Sequence, residues 1–510
     1  MIPHQYLERL AVNHYADRTA VVCGRHSLTY RELRDKARAV AAGLGTHGIG
    51  RGDVGLVLLD NSVEFAVCYF ACSYLGALFM PIDSRLATAE IARLCDIAEP
   101  SFLIADEKNA ETVGSVLKSL SHCRAVVSVG QQKLLPTDIP WFELDEAEHL
   151  FADVRVEDVH IDEQDPLALL ATSGTTGHPK LAMLPARAWD LFPYALEKYW
   201  SVKADCAGVL PVPMSHISGP IFLNACVYFP MKLVIMDRYS PRRLFELVHE
   251  HAPLFCNITP SMSRVLLDRL GSDELREIGS TSNVAVFGAP MTQTHLDEFR
   301  EKMGVLPQSG YGLTEAAPLT CVTSLATGVH KLGSLGKPVS MPGHKVRVVD
   351  QHGDDVRTGE IGEILVSGPS LMLGYYKDDA ATAAVLRDGW LYTGDLGRFD
   401  EEGYLYIAGR KKDIIFVHGF NVLPAEVESV LASHPAVSQA AVIAEQHPRS
   451  GECVVAYVVC SENANVTENE LIEYARHKLA EYKVPRKILF LADMPKTNSG
   501  KIARDALRQM

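Results

Sequence analysis

The stretch that decides the fold of this chain is Thr172-Ser173-Gly174-Thr175-Thr176-Gly177-His178-Pro179-Lys180. It follows the apolar run 167–171, which predicts a buried strand that leads into a loop. Glycines let the backbone approach an anion, and the hydroxyl and ammonium groups can donate hydrogen bonds to it. The spacing differs from that of a Walker A loop, which ends in Gly-Lys-Ser/Thr. The stretch therefore predicts a loop that binds a polyphosphate in another way.

Further motifs follow in order along the chain. They are Gly288-Ala289-Pro290, Tyr311-Gly312-Leu313-Thr314-Glu315, Thr393-Gly394-Asp395, Gly409-Arg410-Lys411-Lys412-Asp413, Gly419-Phe420 and Ser499-Gly500-Lys501. Together with the first loop they resemble the adenylate-forming superfamily, which comprises acyl-CoA synthetases, adenylation domains of peptide synthetases and beetle luciferases. The resemblance extends from about Leu28 to Arg504 and is strongest to the acyl-CoA synthetases.

The resemblance implies a binding site for ATP. The residues that would bind it are Thr172, Ser173, Gly174, Thr175, Thr176, Gly177 and Lys180 at the β- and γ-phosphates, Thr314 at the α-phosphate, Gly288, Ala289, Pro290, Tyr311 and Gly312 around the adenine, and Asp395 and Arg410 at the ribose. Glu315 would hold Mg²⁺, because this hard cation prefers carboxylate oxygen and water. Acyl-AMP formation brings two anions together, so positive charge and tight positioning matter more than a nucleophilic side chain.

The resemblance also assigns the acid and thiol ends of the reaction. Lys501 would reach the substrate carboxylate and the α-phosphate. His216 would stand beside the acyl pocket as a gate, and the alternative is a core histidine whose ring nitrogens are satisfied. Lys412 would be the hinge about which the C-terminal domain rotates between the two half-reactions. That rotation would bring Gly419 and Phe420 to the entrance used by coenzyme A, the expected cosubstrate.

Composition limits the class of protein. A chain of 510 residues with 47% hydrophobic residues indicates a globular protein of more than one domain. The net charge of −14 opposes binding to nucleic acid or to an anionic membrane surface. An odd number of cysteines, 11, together with an N-terminus that lacks a basic-then-apolar leader, predicts a cytoplasmic enzyme with reduced thiols.

The uncharged run 65–82 is interrupted by glycine, so it predicts a buried helix (63–75) and a strand (77–81), with no transmembrane segment.

The order of predicted elements indicates an α/β fold. Helices at 31–44 and 88–98, the latter capped by Thr88, alternate with strands at 54–59 and 101–105, which predicts parallel sheets covered by helices. The segment 131–145 is aperiodic and predicts a surface excursion, whereas short strands split by glycine turns predict a small β-barrel over about 332–408. We expect two α/β subdomains plus this barrel in an N-terminal domain (1–410), followed by a small mobile α+β lid domain (411–510) that carries the catalytic lysine.

Several residues depart from the family pattern. Leu181 and Phe287 replace frequent glycines, and His418 stands where coumarate ligases and luciferases have lysine, which disfavours a luciferase. The segment 211–220 has no acidic residue to pair an α-ammonium, which disfavours an amino-acid substrate. The short segment 316–336 favours coenzyme A over the phosphopantetheine of an acyl carrier protein, which remains the alternative acceptor. A non-catalytic nucleotide-binding regulator is disfavoured because the expected acidic and cationic positions are filled.

Overall fold

The computed structural model describes residues 2–117, 120–130, 138–156, 159–172, 179–289, 291–325, 331–418, 420–447, 451–461, 464–497 and 501–510. The helices of these ranges are α1 (Pro3–Ala11), α2 (Tyr30–Thr46), α3 (Val63–Leu75), α4 (Thr88–Ala98), α5 (Ala110–Leu117), α6 (Ala147–Leu150), α7 (Leu191–Trp200), α8 (Ser218–Tyr228), α9 (Pro241–His251), α10 (Pro260–Arg269), α11 (Ser272–Thr281), α12 (Gln293–Met303), α13 (Asp379–Val385), α14 (Pro424–Ala432), α15 (Glu468–Arg476) and α16 (Arg504–Leu507).

The strands alternate with these helices and then cluster in the second half of the chain. They are β1 (Thr19–Cys23), β2 (His26–Thr29), β3 (Val54–Leu58), β4 (Leu78–Pro81), β5 (Phe102–Asp106), β6 (Ala125–Val129), β7 (Trp141–Glu143), β8 (Pro166–Thr172), β9 (Lys180–Pro185), β10 (Ala207–Leu210), β11 (Lys232–Ile235), β12 (Phe255–Ile258), β13 (Asn283–Val286), β14 (Gly310–Tyr311), β15 (Cys321–Val322), β16 (Lys337–Pro338), β17 (Lys345–Val349), β18 (Gly362–Ser367), β19 (Gly374–Tyr375), β20 (Leu386–Arg387), β21 (Trp390–Phe399), β22 (Leu405–Arg410), β23 (Ile415–Val417), β24 (Phe420–Val422), β25 (Val437–His447), β26 (Gly451–Cys460) and β27 (Lys487–Phe490).

Two large, mostly parallel sheets form the first part of the protein. One has the order β13-β12-β10-β11-β1-β2, and the other has the order β19-β9-β8-β4-β3-β5-β6-β7. Helix α3 contacts strands of both sheets, which explains why its sequence is apolar on every side. The predicted α/β class is therefore confirmed, and the predicted helix at 63–75 has the same bounds in the structure. Within the described ranges, no helix is both long and apolar enough to cross a lipid bilayer.

Smaller antiparallel sheets follow. Strands β14-β15-β16 form one of them, and β17, β18, β21, β20 and β22 form a second, in the region predicted to be a barrel. The last sheet, β24-β23-β26-β25 with β27 beside β26, packs against α14 and α15 around its own apolar core. The division into domains at 410/411 and the mobility of the second domain stay predictions.

Three local predictions were wrong. Ala87 precedes α4 as the cap, and its N–H donates to Glu90, so Thr88 lies inside the helix. Trp141–Glu143 within the expected surface excursion is an edge strand, because its backbone pairs with β6. Asp395 follows the strand-like residues 391–393 and a glycine, a pattern that predicts a loop, but it lies inside β21 and pairs with Arg410 of β22. In that strand Gly394 has φ +72°, and a register shift follows at Leu396/Gly397.

Candidate active site

The predicted phosphate loop joins two paired strands. β8 and β9 run antiparallel, and Thr172 lies opposite Lys180 at their ends. The Oγ1 atom of Thr172 is buried and has no hydrogen-bond partner among the described residues. Ser173, Gly174, Thr175, Thr176 and Gly177 lie outside the described residues. The two flanks of the predicted loop, Thr172 and Lys180, therefore face each other across the paired strands.

Asp395 is held by two side chains from different strands. The hydroxyl of Tyr311 donates to its Oδ2 at 2.8 Å, and Nε of Arg410 donates to its Oδ1 at 3.1 Å. Burial, with the charge of Asp395 as a second cause, raises the pKa of Tyr311 well above its usual value, so the phenol remains a donor. The predicted adenine and ribose residues Tyr311, Asp395 and Arg410 thus form one hydrogen-bonded group.

Two of the predicted adenine residues, Gly288 and Gly312, occupy backbone positions that favour glycine. Gly288 follows β13 with φ +100°, a conformation that L side chains rarely adopt, and Ala289 is half-buried beside it. A Cβ on Gly312 would lie 1.0 Å from the carbonyl oxygen of Pro318. Pro290 lies outside the described residues.

Thr314 and Glu315 lie in a short 3₁₀ turn, Thr314–Ala316, directly after β14. The Oε1 atom of Glu315 accepts a hydrogen bond from the hydroxyl of Tyr375 at 3.0 Å. The Tyr375 ring also faces the predicted phosphate lysine, because Nζ of Lys180 stands 4.9 Å from the ring centroid. Tyr375 therefore joins two residues that the sequence motifs had assigned separately.

Lys501 lies at the start of the last described segment, 501–510. Two hydrogen bonds with Thr497 hold its backbone. The Thr497 N–H donates to the Lys501 carbonyl at 2.7 Å, and the Lys501 N–H donates to Oγ1 of Thr497 at 3.2 Å. Desolvation in the cleft lowers the pKa of Lys501, and nearby Arg410 lowers it further, while the charges of Asp395 and Glu315 act in the opposite direction. The charges that act on Lys501 are thus those of the predicted ribose residues, Asp395 and Arg410, and of the predicted metal residue, Glu315.

His216 stands at the same cleft. Its Nε2 is buried without a hydrogen-bond partner among the described residues and lies 4.0 Å from Oδ2 of Asp83. Asp83 is engaged by Arg85, whose Nε and Nη2 donate to it at 2.8 and 2.7 Å. Burial lowers the pKa of His216, and the charge of Lys501 contributes in the same direction, so the imidazole is neutral at pH 7.

The predicted hinge lies between two anchors. Lys411 donates to Glu363 of β18 at 2.8 Å, and Asp413 accepts a hydrogen bond from Arg508 near the C-terminus at 2.8 Å. Lys412 between them is exposed, and its side chain forms no hydrogen bond or ion pair within the described ranges. Phe420 is exposed and stacks on Tyr482 at 4.7 Å, while Gly419 lies outside the described residues.

Comparison with known proteins identifies the family of this chain. Residues 8–376 match the AMP-binding enzyme family, and residues 426–501 match the AMP-binding enzyme C-terminal domain. The chain belongs to the AMP-binding enzyme family. The adenylate-forming resemblance predicted from the motifs is therefore confirmed.

Relatives in this family cover the whole chain. Indoleacetate–CoA ligase of Aromatoleum aromaticum is 30% identical over 97% of this chain and 95% of its own length. A 2-succinylbenzoate–CoA ligase of Bacillus licheniformis is 30% identical over 96% of both chains. The crystal structure of ATP-bound MatB from Rhodopseudomonas palustris, 26% identical, superposes with a TM-score of 0.89 and covers 100% of this chain and 99% of that one.

The donor set fits Mg²⁺, the cation expected in this family. No group of three or more His, Cys, Asp or Glu side chains that could enclose a metal occurs in the described part of the chain. Mg²⁺ is commonly held by one or two carboxylates plus substrate phosphates and water, which needs no such enclosure. Glu315 has one oxygen bound by Tyr375, and its Oε2 accepts no hydrogen bond from a described residue. A single available carboxylate oxygen on Glu315 matches that mode of binding.

Tyr375 and the Asp83–Arg85 pair were missed from the sequence. Tyr375 is 60 residues from Glu315 in the sequence. Its short strand, β19, belongs to none of the family motifs named above. Asp83 follows β4, whereas His216 precedes α8. The 4.0 Å distance between them depends on how these two regions pack in the folded protein. Both contacts arise only once the sheets are assembled.

Proposed function

We propose that this protein is an AMP-forming acid–CoA ligase. A carboxylate oxygen attacks the α-phosphorus of ATP and pyrophosphate leaves; the thiol of coenzyme A then attacks the acyl carbon, AMP leaves and the thiol proton is released. The observation that carries the proposal is the hydrogen-bonded group of Tyr311, Asp395 and Arg410, together with the charges of Asp395 and Glu315 that act on Lys501. The CoA ligases among its relatives support the same reaction.

The side chains divide the work of the first half-reaction. Asp395, oriented by Tyr311 and Arg410, accepts hydrogen bonds from the ribose hydroxyls. The Lys501 ammonium offsets the repulsion between the incoming carboxylate and the α-phosphate, where oriented charge is most effective. Thr314 donates to the α-phosphate. Glu315 would hold Mg²⁺, which would supply positive charge to the polyphosphate.

Replacing Asp395 with asparagine should raise the KM for ATP by about 10- to 100-fold, because a hydrogen bond to a charged group contributes roughly 1.5–3 kcal/mol. Steady-state kinetics with ATP varied would measure this change. Asp388→Asn is the matched control, since Asp388 is exposed in a turn and has φ +50°, which asparagine tolerates. An unchanged KM for ATP in Asp395→Asn would contradict the proposal that Asp395 binds the ribose.

The proposed substrate is a carboxylic acid with an uncharged body. Helix α8, after His216, is almost wholly buried and carries no charged residue. Phe287 stacks on Trp200 at 5.7 Å and fills space where the family often has glycine. The cation at the His216 end of the cleft, Arg85, is already paired with Asp83. Pyrophosphate exchange across fatty, aryl and branched acids would test this, and exchange with amino acids alone would contradict it.

We expect coenzyme A as the acyl acceptor and an acyl carrier protein as the alternative. The test is to give preformed acyl-AMP to the enzyme with either acceptor and to follow thioester formation by mass spectrometry. Turnover with coenzyme A at least tenfold above that with carrier protein is the expected result. The reverse preference would favour the alternative.

The second half-reaction is proposed to follow rotation about Lys412. Anchors on both sides, Lys411–Glu363 and Asp413–Arg508, support this residue as the pivot. Gly419 and Phe420 would then line the thiol entrance, and neutral His216 would gate the acyl pocket. A reducing location such as the cytoplasm suits the protein, because all 11 cysteines are unpaired.

A further inference from the structure

Tyr375 lies where three parts of the nucleotide cleft meet. Its strand β19 pairs antiparallel with β9, so that Tyr375 stands opposite Ala182, two residues after Lys180. Just before it, the Met372 N–H donates to the carbonyl of Glu315 at 2.9 Å. The short segment 372–375 therefore connects the exit of the phosphate loop with the backbone of the metal-binding turn.

The local backbone fixes the direction of the Tyr375 side chain. The Tyr375 N–H donates to Oγ1 of Thr382 in α13 at 2.8 Å. Gly374 has φ +150°, and a Cβ there would lie 2.8 Å from Cγ2 of Thr382, so glycine is required for this close approach. These contacts hold the backbone of Tyr375 in place, and no ligand takes part in them.

The side chain makes two different contacts with groups assigned to the polyphosphate. Its hydroxyl donates to Oε1 of Glu315 at 3.0 Å. Its ring faces Nζ of Lys180 at 4.9 Å, within the range of a cation–π interaction. One oxygen of Glu315 is thus occupied, and Oε2 is the oxygen left for a cation.

We infer that Tyr375 is a positioning residue for adenylation. By holding Glu315 through Oε1 and Lys180 through its ring, it sets the separation between the metal-binding carboxylate and the phosphate-binding ammonium before the nucleotide arrives. Glu315 then binds the cation through a single oxygen, with the Lys180 ammonium already beside the β- and γ-phosphates. The inference rests on the proposed function, because both partners act on the polyphosphate of ATP.

The hydroxyl and the ring can be tested separately. Tyr375→Phe removes the bond to Glu315 and keeps the ring at Lys180, whereas Tyr375→Leu removes both. We expect Tyr375→Phe to weaken Mn²⁺ binding to the enzyme–ATP complex by about tenfold, as measured by electron paramagnetic resonance. Tyr375→Leu should in addition raise the KM for ATP. Thioester formation from preformed acyl-AMP should stay within about twofold in both variants, because that step no longer uses the polyphosphate.

The neighbouring residue offers a matched control. Tyr376→Phe removes the same hydroxyl from a half-buried tyrosine that packs into another apolar core, and it should leave Mn²⁺ binding unchanged. Equal Mn²⁺ affinity in the wild type and Tyr375→Phe would overturn the inference alone. If adenylation, thioester formation and the melting temperature of Tyr375→Phe all fell together, the inference would also be overturned, because Tyr375 would then have a purely structural role. Failure of the wild type to form acyl-AMP would instead overturn the proposed function.

Discussion

Replacement of Lys501 with alanine should lower the rate of acyl-AMP formation on the order of 10²–10³-fold, because an oriented charge at the reacting oxygens is lost. ATP affinity should change little, since the ribose and phosphate contacts belong to other residues. Acid-dependent pyrophosphate exchange measures the first quantity, and isothermal titration with ATP measures the second.

Two comparisons make the Lys501 result specific. Lys496→Ala is the control, because Lys496 lies on the same C-terminal segment and pairs with Asp493 at 3.2 Å. It should adenylate normally. Thioester formation from preformed acyl-AMP should survive in Lys501→Ala, because that step is proposed to follow withdrawal of the lysine. Normal pyrophosphate exchange in Lys501→Ala would contradict the assigned role.

Gly312→Ala should abolish adenylation and destabilise the protein. The added Cβ would meet the backbone of Pro318, with its carbonyl oxygen at 1.0 Å and its carbonyl carbon at 2.2 Å. Backbone atoms cannot swing away as the end of a side chain can, so the turn that carries Thr314 and Glu315 must move. A displacement of about 1 Å at a reacting site can cost on the order of 10²-fold in rate. Pyrophosphate exchange and thermal unfolding would measure the two effects.

Gly45→Ala is the matched control for that substitution. Gly45 lies in helix α2, and a Cβ there would have no neighbour within 4 Å. Alanine should therefore be neutral or stabilise the helix by up to about 1 kcal/mol. If Gly312→Ala kept full exchange activity and the wild-type melting temperature, the close packing at Pro318 would not be needed for the site.

The parts of the fold that the sequence predicted well have a strong local pattern. The helices predicted at 63–75 and 88–98 and the strand predicted at 54–59 agree with α3, α4 and β3 within one residue, because hydrophobic periodicity directly reflects burial. Local rules failed where tertiary contacts decide. Trp141–Glu143 is a strand because β6 offers a free edge, and Asp395 lies in a strand because β22 pairs with it despite Gly394.

The candidate site divides in the same way. Thr314, Glu315, Asp395, Arg410 and Lys501 could be selected from short motifs, since each motif is contiguous in sequence. Their mutual arrangement could not, because it depends on Tyr311 reaching Asp395 across 84 residues. Tyr375 was not predicted at all, since its role comes from the pairing of β19 with β9.

The most direct test of the account is a single-turnover reaction with α-labelled ATP and an accepted acid, in the absence of thiol. The account predicts acid-dependent acyl-AMP and pyrophosphate in an amount close to that of the enzyme, and conversion of the acyl-AMP to acyl-CoA when coenzyme A is added. Release of ADP and phosphate, or cleavage of ATP that does not depend on the acid, would contradict it.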